Sequence, residues 1–406
     1  MYPLNSSHDK CLAISDQPYP TGHSRDGQLL GANFLMPPLP YLFIALLAAM
    51  VTIAAAPVRG ANHTFWAGSD VSYFGYIESH GGVYRYNHQP IGLIQAFKRA
   101  GCNCLRMRLW HRATAAEKGR FGKLGTTNDL AYTLPLAKRI KKAGFHFVLD
   151  MHFSPSWADP AHQPIPAAWR HLPLDQLCGH LRAYCRRVMT TLRKAHALPD
   201  MVLAGNEIND GILWPTGKLW VHHRGRWNRV AKLLNAAIDG IDAGSGPHKP
   251  KIMIQVGDFS YAPNFYKNLI SHGVKFDFIG YDFYPFWGGP LKHLKSSLIQ
   301  LCALGKPIIV AETAYPFIND ADNANWLKKK GMRFPFSPAG QAAYAQALVT
   351  IVKALPHHLG RGVWWWGGEY NADQPAFAHN PWSYRSLFDI HGNALPAMRV
   401  LGTAAK

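Results

Sequence analysis

The chain has 406 residues, of which 48% are hydrophobic and 17% charged, and 43 Lys and Arg against 24 Asp and Glu give a formal net charge of +19. This composition is too apolar for a disordered polymer, and the 36 glycines and 29 prolines follow no period, which excludes a collagen-like chain. The basic residues are scattered, without a block of five in a row, which argues against nucleic-acid binding and favours a solvated surface.

The first 60 residues predict a leader rather than part of a folded domain. Residues 1–35 are polar and lack apolar periodicity, which indicates a non-native or disordered extension. Residues 36–60 begin with a methionine and contain a 16-residue apolar run at 41–56, typical of a secretory signal peptide and short for a membrane span of about 20 residues. We therefore expect translation to begin at Met36, and secretion to the extracellular space or periplasm without stable membrane association. An uncleaved signal anchor is the alternative.

Five cysteines follow the predicted leader, and this odd number leaves at least one thiol free or intermolecular. None of them has the spacing of zinc ligands. Cys178 and Cys185 lie seven residues apart on the apolar stripe of a predicted helix, which favours packing in the core.

Residues 61–406 alternate apolar runs of strand length with longer runs of helical period, a pattern typical of a parallel β/α architecture. Amphipathic helices lie between the strands, most clearly at 174–196, and Gly101, Gly144 and Gly305 are expected to close helices in a left-handed conformation. Eight units without a glycine-rich phosphate motif predict an α/β fold, a single (β/α)8 TIM barrel with enlarged βα loops. The candidate strands cover residues 65–73, 104–110, 146–154, 201–208, 251–257, 276–284, 307–313 and 362–367.

Polar residues interrupt the apolar runs where each predicted strand ends, and in such a barrel the carboxyl ends of the strands carry the chemistry. Charged residues are seldom fully buried unless they are paired or functional. Structural ion pairs, for instance of Arg106 or Arg108 with a carboxylate, are the alternative interpretation for any one of them. The strand-end residues are Asp70, Arg106, Arg108, Asp150, His152, Asn206, Glu207, Asp258, Asp282, Tyr284 and Glu312, with Glu369 after the last strand.

Glu207 and Glu312 stand out among these residues, because they end the fourth and seventh strands on nearly opposite sides of a small barrel mouth. Two facing carboxylates suit glycoside hydrolysis, about 5–5.5 Å apart for retention and about 6.5–9.5 Å for inversion. Aromatic side chains around the same rim offer flat faces for sugar rings, whereas Trp365, inside a strand, is expected to pack. The rim aromatics are Trp110, Trp157, Trp214, Trp287, Trp364 and Trp366.

Four strings of residues narrow this pattern to one family. They are LDMHFSPSWADP at 149–160 with Gln163, GNEINDGILWP at 205–215, YPFW at 284–287 and ETAYP at 312–316. Together they resemble the endo-β-1,4-galactanases of glycoside hydrolase family 53, and the similarity runs from about Gly68 through the last strand. The resemblance implies a secreted, endo-acting, retaining hydrolase of β-1,4-galactan, the side chain of type I arabinogalactan and pectin.

The resemblance also implies roles for individual residues. Glu207 is the expected general acid and base and Glu312 the expected nucleophile, with Arg106 keeping Glu312 charged. Asn206 is expected to hydrogen-bond the sugar 2-OH. His152, Tyr284 and Trp366 are expected at the subsite floor, with Trp214 and Trp287 as outer stacking platforms, and the remaining candidates for substrate binding are Asp150, Trp110 and Trp157.

Two features depart from the family pattern. Glu369 follows the last tryptophans by three residues, which leaves the leaving-group side of the site undefined. Asp320 and Asp322 have the spacing of a calcium loop found in some bacterial members, but Ala324 and Trp326 stand where further ligands would fall. Because calcium takes six to eight oxygens, we interpret this segment as a solvated turn and expect no metal or other cofactor.

The expected partner is a polysaccharide substrate, bound by a monomer. The alternatives are a barrel glycosidase for another plant β-1,4-glycan and a catalytically inactive carbohydrate-binding barrel. Without residues 1–56 the net charge is +20. Because the predicted mouth is acidic and aromatic, we expect this charge on the outer helices and loops, where it would hold the protein near the polyanionic backbone of pectin.

Overall fold

The computed structural model describes residues 64–112, 128–319, 331, 333–371 and 380–406. The predicted leader and the predicted solvated turn with Asp320 and Asp322 lie outside these ranges. In the ranges that are described, no helix is both long enough and apolar enough to cross a membrane.

Eight parallel strands close into a barrel, and they follow one another around it in chain order, with the last strand pairing with the first. The barrel strands are β1 (Trp66–Asp70), β4 (Cys104–Leu109), β5 (His146–Met151), β6 (Met201–Ala204), β9 (Lys251–Val256), β10 (Phe278–Asp282), β11 (Ile308–Glu312) and β12 (Gly360–Trp365). Two antiparallel hairpins lie outside the barrel, β2 (Tyr84–Tyr86) with β3 (Gln89–Ile91) and β7 (Trp220–Val221) with β8 (Arg224–Gly225). The predicted fold class is confirmed.

Helices follow the barrel strands. The 21-residue helix α4 (Leu174–Lys194) turns Leu181, Cys185 and Val188 into the core, as its apolar stripe predicts. Gly101, Gly144 and Gly305 have φ of 96°, 82° and 67°, the left-handed values expected of them. The helices are α1 (Phe74–Ser79), α2 (Leu93–Ala100), α3 (Leu130–Lys142), α4 (Leu174–Lys194), α5 (Trp227–Ser245), α6 (Ala262–Ser271), α7 (Pro285–Gly288), α8 (Leu291–Cys302), α9 (Pro338–Lys353) and α10 (Pro396–Ala404).

Each observed strand ends one to four residues before its predicted end. The largest difference is at β6, which ends at Ala204 because Gly205 turns the backbone with a φ of 99°. Several predicted strand-end residues, Glu207 among them, therefore lie in the first turn of the following loop.

A small apolar cluster fills the barrel interior, and Trp364 belongs to it. The prediction of Trp364 as a rim platform is wrong: successive strand residues alternate between the two faces, and this one points inward. Trp365 points the other way, packs against Tyr344 and donates to the Arg385 carbonyl at 2.7 Å, so its predicted packing role is confirmed. The interior cluster is Cys104, Val148, Met201, Leu203, Met253, Ile309, Ala311 and Trp364.

All five cysteines beyond the predicted leader are buried free thiols. Cys178 and Cys185 pack in the main core on α4, as predicted. Burial raises the pKa of the Cys102 thiol to about 12.

Candidate active site

Glu312 is the last residue of β11, and its carboxylate is held by donors from three other parts of the barrel mouth. Burial, together with the Glu312 charge, raises the pKa of Tyr284, so its phenol keeps its proton and donates it in a hydrogen bond. Gln255 is a site residue that the sequence did not reveal; its only signal is a lone amide that follows the apolar residues Ile252 to Ile254 in β9. The contacts are Arg106 Nη1 to Oε1 at 2.7 Å, Gln255 Nε2 to Oε1 at 3.0 Å and Tyr284 Oη to Oε2 at 2.7 Å.

Glu207 sits in a tight turn after β6, where its own φ is +44°, a left-handed value that non-glycine residues seldom adopt. Gln163, buried in the loop after β5, holds this turn: its Nε2 donates to the carbonyls of Asn206 at 2.8 Å and Glu207 at 3.3 Å. Gly257 leaves room for the Glu207 carboxylate, because a Cβ at that position would lie 2.8 Å from Oε1. Gln163 belongs to the sequence motifs of the family resemblance, but the sequence does not predict its hydrogen bonds to the turn at Glu207.

Glu207, Asp282 and Glu312 each bring a carboxylate oxygen within 4.8 Å of the others. Burial, and then the Glu312 charge, raise the pKa of Glu207 and of Asp282 well above their usual values. Such a cluster of oxygens could attract a cation, but the Arg106 guanidinium and the Gln255 amide already face it with donors. The donor set therefore fits carboxyls that hold protons better than it fits a resident metal.

Arg106 joins the residues of the mouth into one network. Burial alone would lower its pKa, but the surrounding carboxylates raise it, so the guanidinium stays charged. Its Nη2 donates to Asp150 Oδ2 at 2.5 Å and to Asn206 Oδ1 at 3.0 Å. The predicted pairing of Arg106 with a strand-end carboxylate is present, and it coexists with the contact to Glu312.

Asp150 lies between Arg106 and His152 and contacts both side chains. Burial would raise the pKa of Asp150, but Arg106 and then His152 lower it, and the carboxylate is fully buried. His152 Nε2 lies 3.1 Å from Asp150 Oδ2, and its Nδ1 accepts from the Ala158 amide at 3.0 Å. Asp150 therefore contacts Arg106 and His152, and its predicted role in substrate binding stays a prediction.

Both polar atoms of the Asn206 side-chain amide form hydrogen bonds within the protein. Its Oδ1 accepts from Arg106, and its Nδ2 donates to the Ala158 carbonyl at 2.7 Å. These bonds fix the side chain at 5% exposure beside Glu207. The hydrogen bond to a sugar hydroxyl stays a prediction.

Two groups of aromatic rings wall the mouth. On one side Trp110 and Trp157 meet edge to face at 5.3 Å, and Trp157 reaches Trp366 at 6.1 Å. On the other side Trp382 contacts Trp366, with ring centroids 4.3 Å apart. Trp382 also packs against Tyr284 at 5.5 Å and Trp287 at 6.1 Å.

Trp382 was not predicted from the sequence, because this residue lies in a short 3-10 turn, Pro381–Arg385, far from any strand end. Trp214, predicted as an outer platform, makes no ring contact with these walls in the described part of the chain. Its indole donates to the Asp210 carbonyl at 2.8 Å, and Lys218 Nζ lies 4.5 Å from its ring centre.

A second buried charge cluster, formed by Asp70, Arg108 and Glu369, lies behind the tryptophans. The Arg108 guanidinium is 3.6 Å from Asp70 and 4.2 Å from the Trp157 ring centre. Glu369 is fully buried and accepts from the Tyr73 amide at 2.9 Å. Burial, then Asp70, raise the pKa of Glu369 to about 8, so this departure from the family pattern is an internal carboxyl.

A closed (β/α)8 barrel with facing carboxyls at strands four and seven and aromatic walls around them defines a barrel glycoside hydrolase. The profile of Glycosyl hydrolase family 53 matches residues 66–401, and the chain belongs to this family. The predicted family and enzyme class are therefore confirmed.

Known proteins similar to the chain cover most of its length. It is 36% identical over 359 residues to an uncharacterized protein in the bgaB 5′ region of Niallia circulans, covering 84% of this chain and 94% of that one. It is 33% identical over 376 residues to the arabinogalactan endo-β-1,4-galactanase of Cellvibrio japonicus, covering 87% and 95%. The solved Ignisphaera aggregans GH53 catalytic domain matches with a TM-score of 0.75 and 31% identity, covering 85% and 98%.

Proposed function

We propose that the protein is an endo-β-1,4-galactanase that cleaves the galactan side chains of type I arabinogalactan and pectin with retention of configuration. The observation that carries this proposal is the approach of Glu207 and Glu312, whose carboxylate oxygens lie within 4.8 Å. This approach of one oxygen from each group fits the separation of about 5–5.5 Å between carboxyl groups in retaining enzymes better than the about 6.5–9.5 Å of inverting enzymes. The galactanase of Cellvibrio japonicus supports the choice of substrate.

Glu312 is the nucleophile in this mechanism. Three donors, Arg106, Gln255 and Tyr284, converge on its carboxylate. They also aim it, because both oxygens are engaged and the side chain is 5% exposed. Attack on the anomeric carbon forms a covalent glycosyl ester and expels the leaving sugar.

Glu207 is the general acid and then the general base. Burial and the Glu312 charge raise its pKa, so it carries a proton when the substrate arrives and can protonate the leaving oxygen. Ester formation removes the negative charge on Glu312 and with it the contribution of that charge to the raised pKa of Glu207. The ionised Glu207 then takes a proton from the water that hydrolyses the ester.

The proposal is tested on β-1,4-galactan, arabinan, β-1,4-mannan and cellulose, with the products followed by proton NMR. We expect oligosaccharides from galactan alone, with the β-anomer appearing first. An initial α-anomer would contradict retention. Release from another glycan, or binding of sugar without release, would support one of the alternatives instead.

Export is a separate part of the proposal. A polymeric galactan cannot enter a cell, so the enzyme must meet it outside, and the apolar run at 41–56 is of signal-peptide length. N-terminal sequencing of the mature protein tests this: a start shortly after residue 56 supports cleavage, and a start at Met1 or Met36 contradicts it.

A further inference from the structure

The segment between Gly211 and Ile238 contains no acidic residue. It runs from the turn after Glu207 through the β7–β8 hairpin and into α5. Although the basic residues of the chain as a whole are scattered, this segment gathers a local excess of positive charge on the connection that carries Glu207. Its basic residues are Lys218, Arg224, Arg226, Arg229 and Lys232, with His222 and His223.

Two of these cations have carboxylate partners and two line a cavity without one. Lys218 pairs with Asp210 at 3.7 Å, and Lys232 pairs with Asp175. Arg226 and Arg229 form no ion pair with any residue in the described ranges. They line a cavity of about 230 Å³, which we call the arginine cavity, together with Gly225, Trp227, Asn228 and His272.

The described residues use only part of the donor capacity of these two arginines. Arg226 reaches the Pro215 carbonyl at 3.5 Å and the Thr216 carbonyl at 3.3 Å, and Arg229 reaches the Thr216 carbonyl at 3.3 Å. Each guanidinium carries five N–H donors in a planar fork that matches a carboxylate. Partial burial and the neighbouring Arg229 lower the pKa of Arg226, as expected of two cations that share a site without an anion.

The arginine cavity also has an aromatic wall. The half-buried Trp227 indole meets Trp220 edge to face at 5.8 Å, and the His272 ring lies 6.2 Å from it. The hairpin backbone at Gly225 runs against this indole, since a Cβ there would come within 2.5 Å of Trp227 Nε1. An indole beside paired guanidiniums is suited to a ligand with an apolar ring face and a carboxylate.

We propose that the arginine cavity is an accessory binding site for a uronate unit of an acidic polysaccharide. The carboxylate would lie between Arg226 and Arg229, and the sugar ring against Trp227. The arginines contact the turn that bears Trp214, so this site lies on the same connection as Glu207. It would hold the enzyme on an acidic backbone while the barrel mouth takes a neutral side chain, a purpose that rests on the proposed function although the binding itself does not.

The experiment titrates the full-length protein with oligogalacturonate by calorimetry, at low and at moderate salt. We expect binding that weakens with salt and falls at least tenfold in an Arg226→Gln, Arg229→Gln double variant. The matched control is Lys138→Gln with Lys142→Gln, which removes two exposed charges on α3 and should change the affinity less than twofold. The circular dichroism spectrum and the thermal unfolding of every variant check that the fold is intact.

Three outcomes would overturn the proposal. The first is wild-type protein that does not bind oligogalacturonate. The second is an equal loss of affinity in the control pair, which would make the binding a property of net charge. The third is inorganic sulfate that binds as tightly as a single galacturonate, which would make the cavity an anion site without sugar recognition. Failure to cleave galactan would contradict the proposed function and leave these binding results unchanged.

Discussion

Glu207 and Glu312 are chemically the same side chain, and their surroundings separate them. Three donors contact the Glu312 carboxylate, whereas no donor in the described ranges contacts that of Glu207, whose pKa burial raises. A carboxylate that three donors hold in place suits attack, and a carboxyl that is held protonated suits proton donation. The difference between the two roles therefore comes from Arg106, Gln255 and Tyr284.

Removing the Glu312 carboxylate should show that this residue, and not Glu207, is the nucleophile. We expect Glu312→Ala to lower turnover at least about 1000-fold while the protein stays folded. Azide should restore activity by entering the space left by the carboxylate, and should yield a glycosyl azide of inverted configuration. Mass spectrometry and proton NMR of the product measure this. An inverted azide obtained only from Glu207→Ala would reverse the assignment.

Gln163 is a positioning residue for the acid. Gln163→Leu removes the donor to the Asn206 and Glu207 carbonyls and leaves them buried without a partner, which costs about 1–3 kcal/mol. We expect kcat to fall about tenfold or more with KM within threefold, and the alkaline limb of the pH profile to shift.

The matched control for this substitution is Gln346→Leu, at an exposed glutamine on α9. It should leave both kinetic constants and the pH profile unchanged. A loss of active protein in Gln163→Leu without a shift of the alkaline limb would mean that this residue serves only stability.

At the scale of elements, the end of β9 shapes the space for the acid. Gly257→Ala would place a methyl group 2.8 Å from Glu207 Oε1, closer than real Cβ contacts. We expect kcat to fall about 10- to 100-fold, because small displacements of a catalytic group are costly. Gly92→Ala, where the added Cβ meets nothing within 4 Å, is the control and should keep wild-type kinetics. Unchanged turnover in Gly257→Ala would show that Glu207 can move without loss.

The eight barrel strands were predictable, because each is a mostly buried segment rich in apolar residues, and the sequence pattern reports burial. Their ends were predicted less well, since the turn at Gly205 depends on a backbone conformation that hydrophobicity does not encode. Glu207 and Glu312 were found through their places after strands four and seven. Trp382 and Gln163 were not found as site residues, because only the closed barrel brings their loops to the mouth.

The three tryptophans at the end of β12 show the same limit of sequence-based prediction. Trp364, Trp365 and Trp366 are consecutive, and alternation along a strand requires that the first two face opposite ways. The sequence does not state which of them faces the barrel interior, and the rim assignment of Trp364 failed for this reason. Register against β1 and β11 decides it.

At the scale of the whole molecule, Glu369 links stability to pH. Its carboxyl has a pKa of about 8 in the folded protein against an ordinary 4.5, so the folded state favours the protonated form. The resulting stability is complete below about pH 4.5 and is lost as the pH rises through 8. Each unit of pKa shift corresponds to about 1.4 kcal/mol, which limits the whole effect to about 5 kcal/mol.

Glu369→Gln should therefore gain stability relative to the wild type as the pH rises from 5 to 8, since the neutral amide has no proton to lose. Urea denaturation at several pH values measures this difference. The control is Glu78→Gln on α1, which removes a carboxylate that pairs with Arg139 at the surface. Parallel stability curves for wild type and Glu369→Gln would contradict a buried proton at this site.

The five buried thiols make the stability of the folded enzyme independent of the redox state of its surroundings. Since the described fold holds no disulfide, a reducing agent has nothing to break in it, and the barrel should withstand dithiothreitol unchanged. The same burial keeps alkylating reagents out until the barrel opens. The rate at which iodoacetamide labels these cysteines would therefore measure how often the folded enzyme opens.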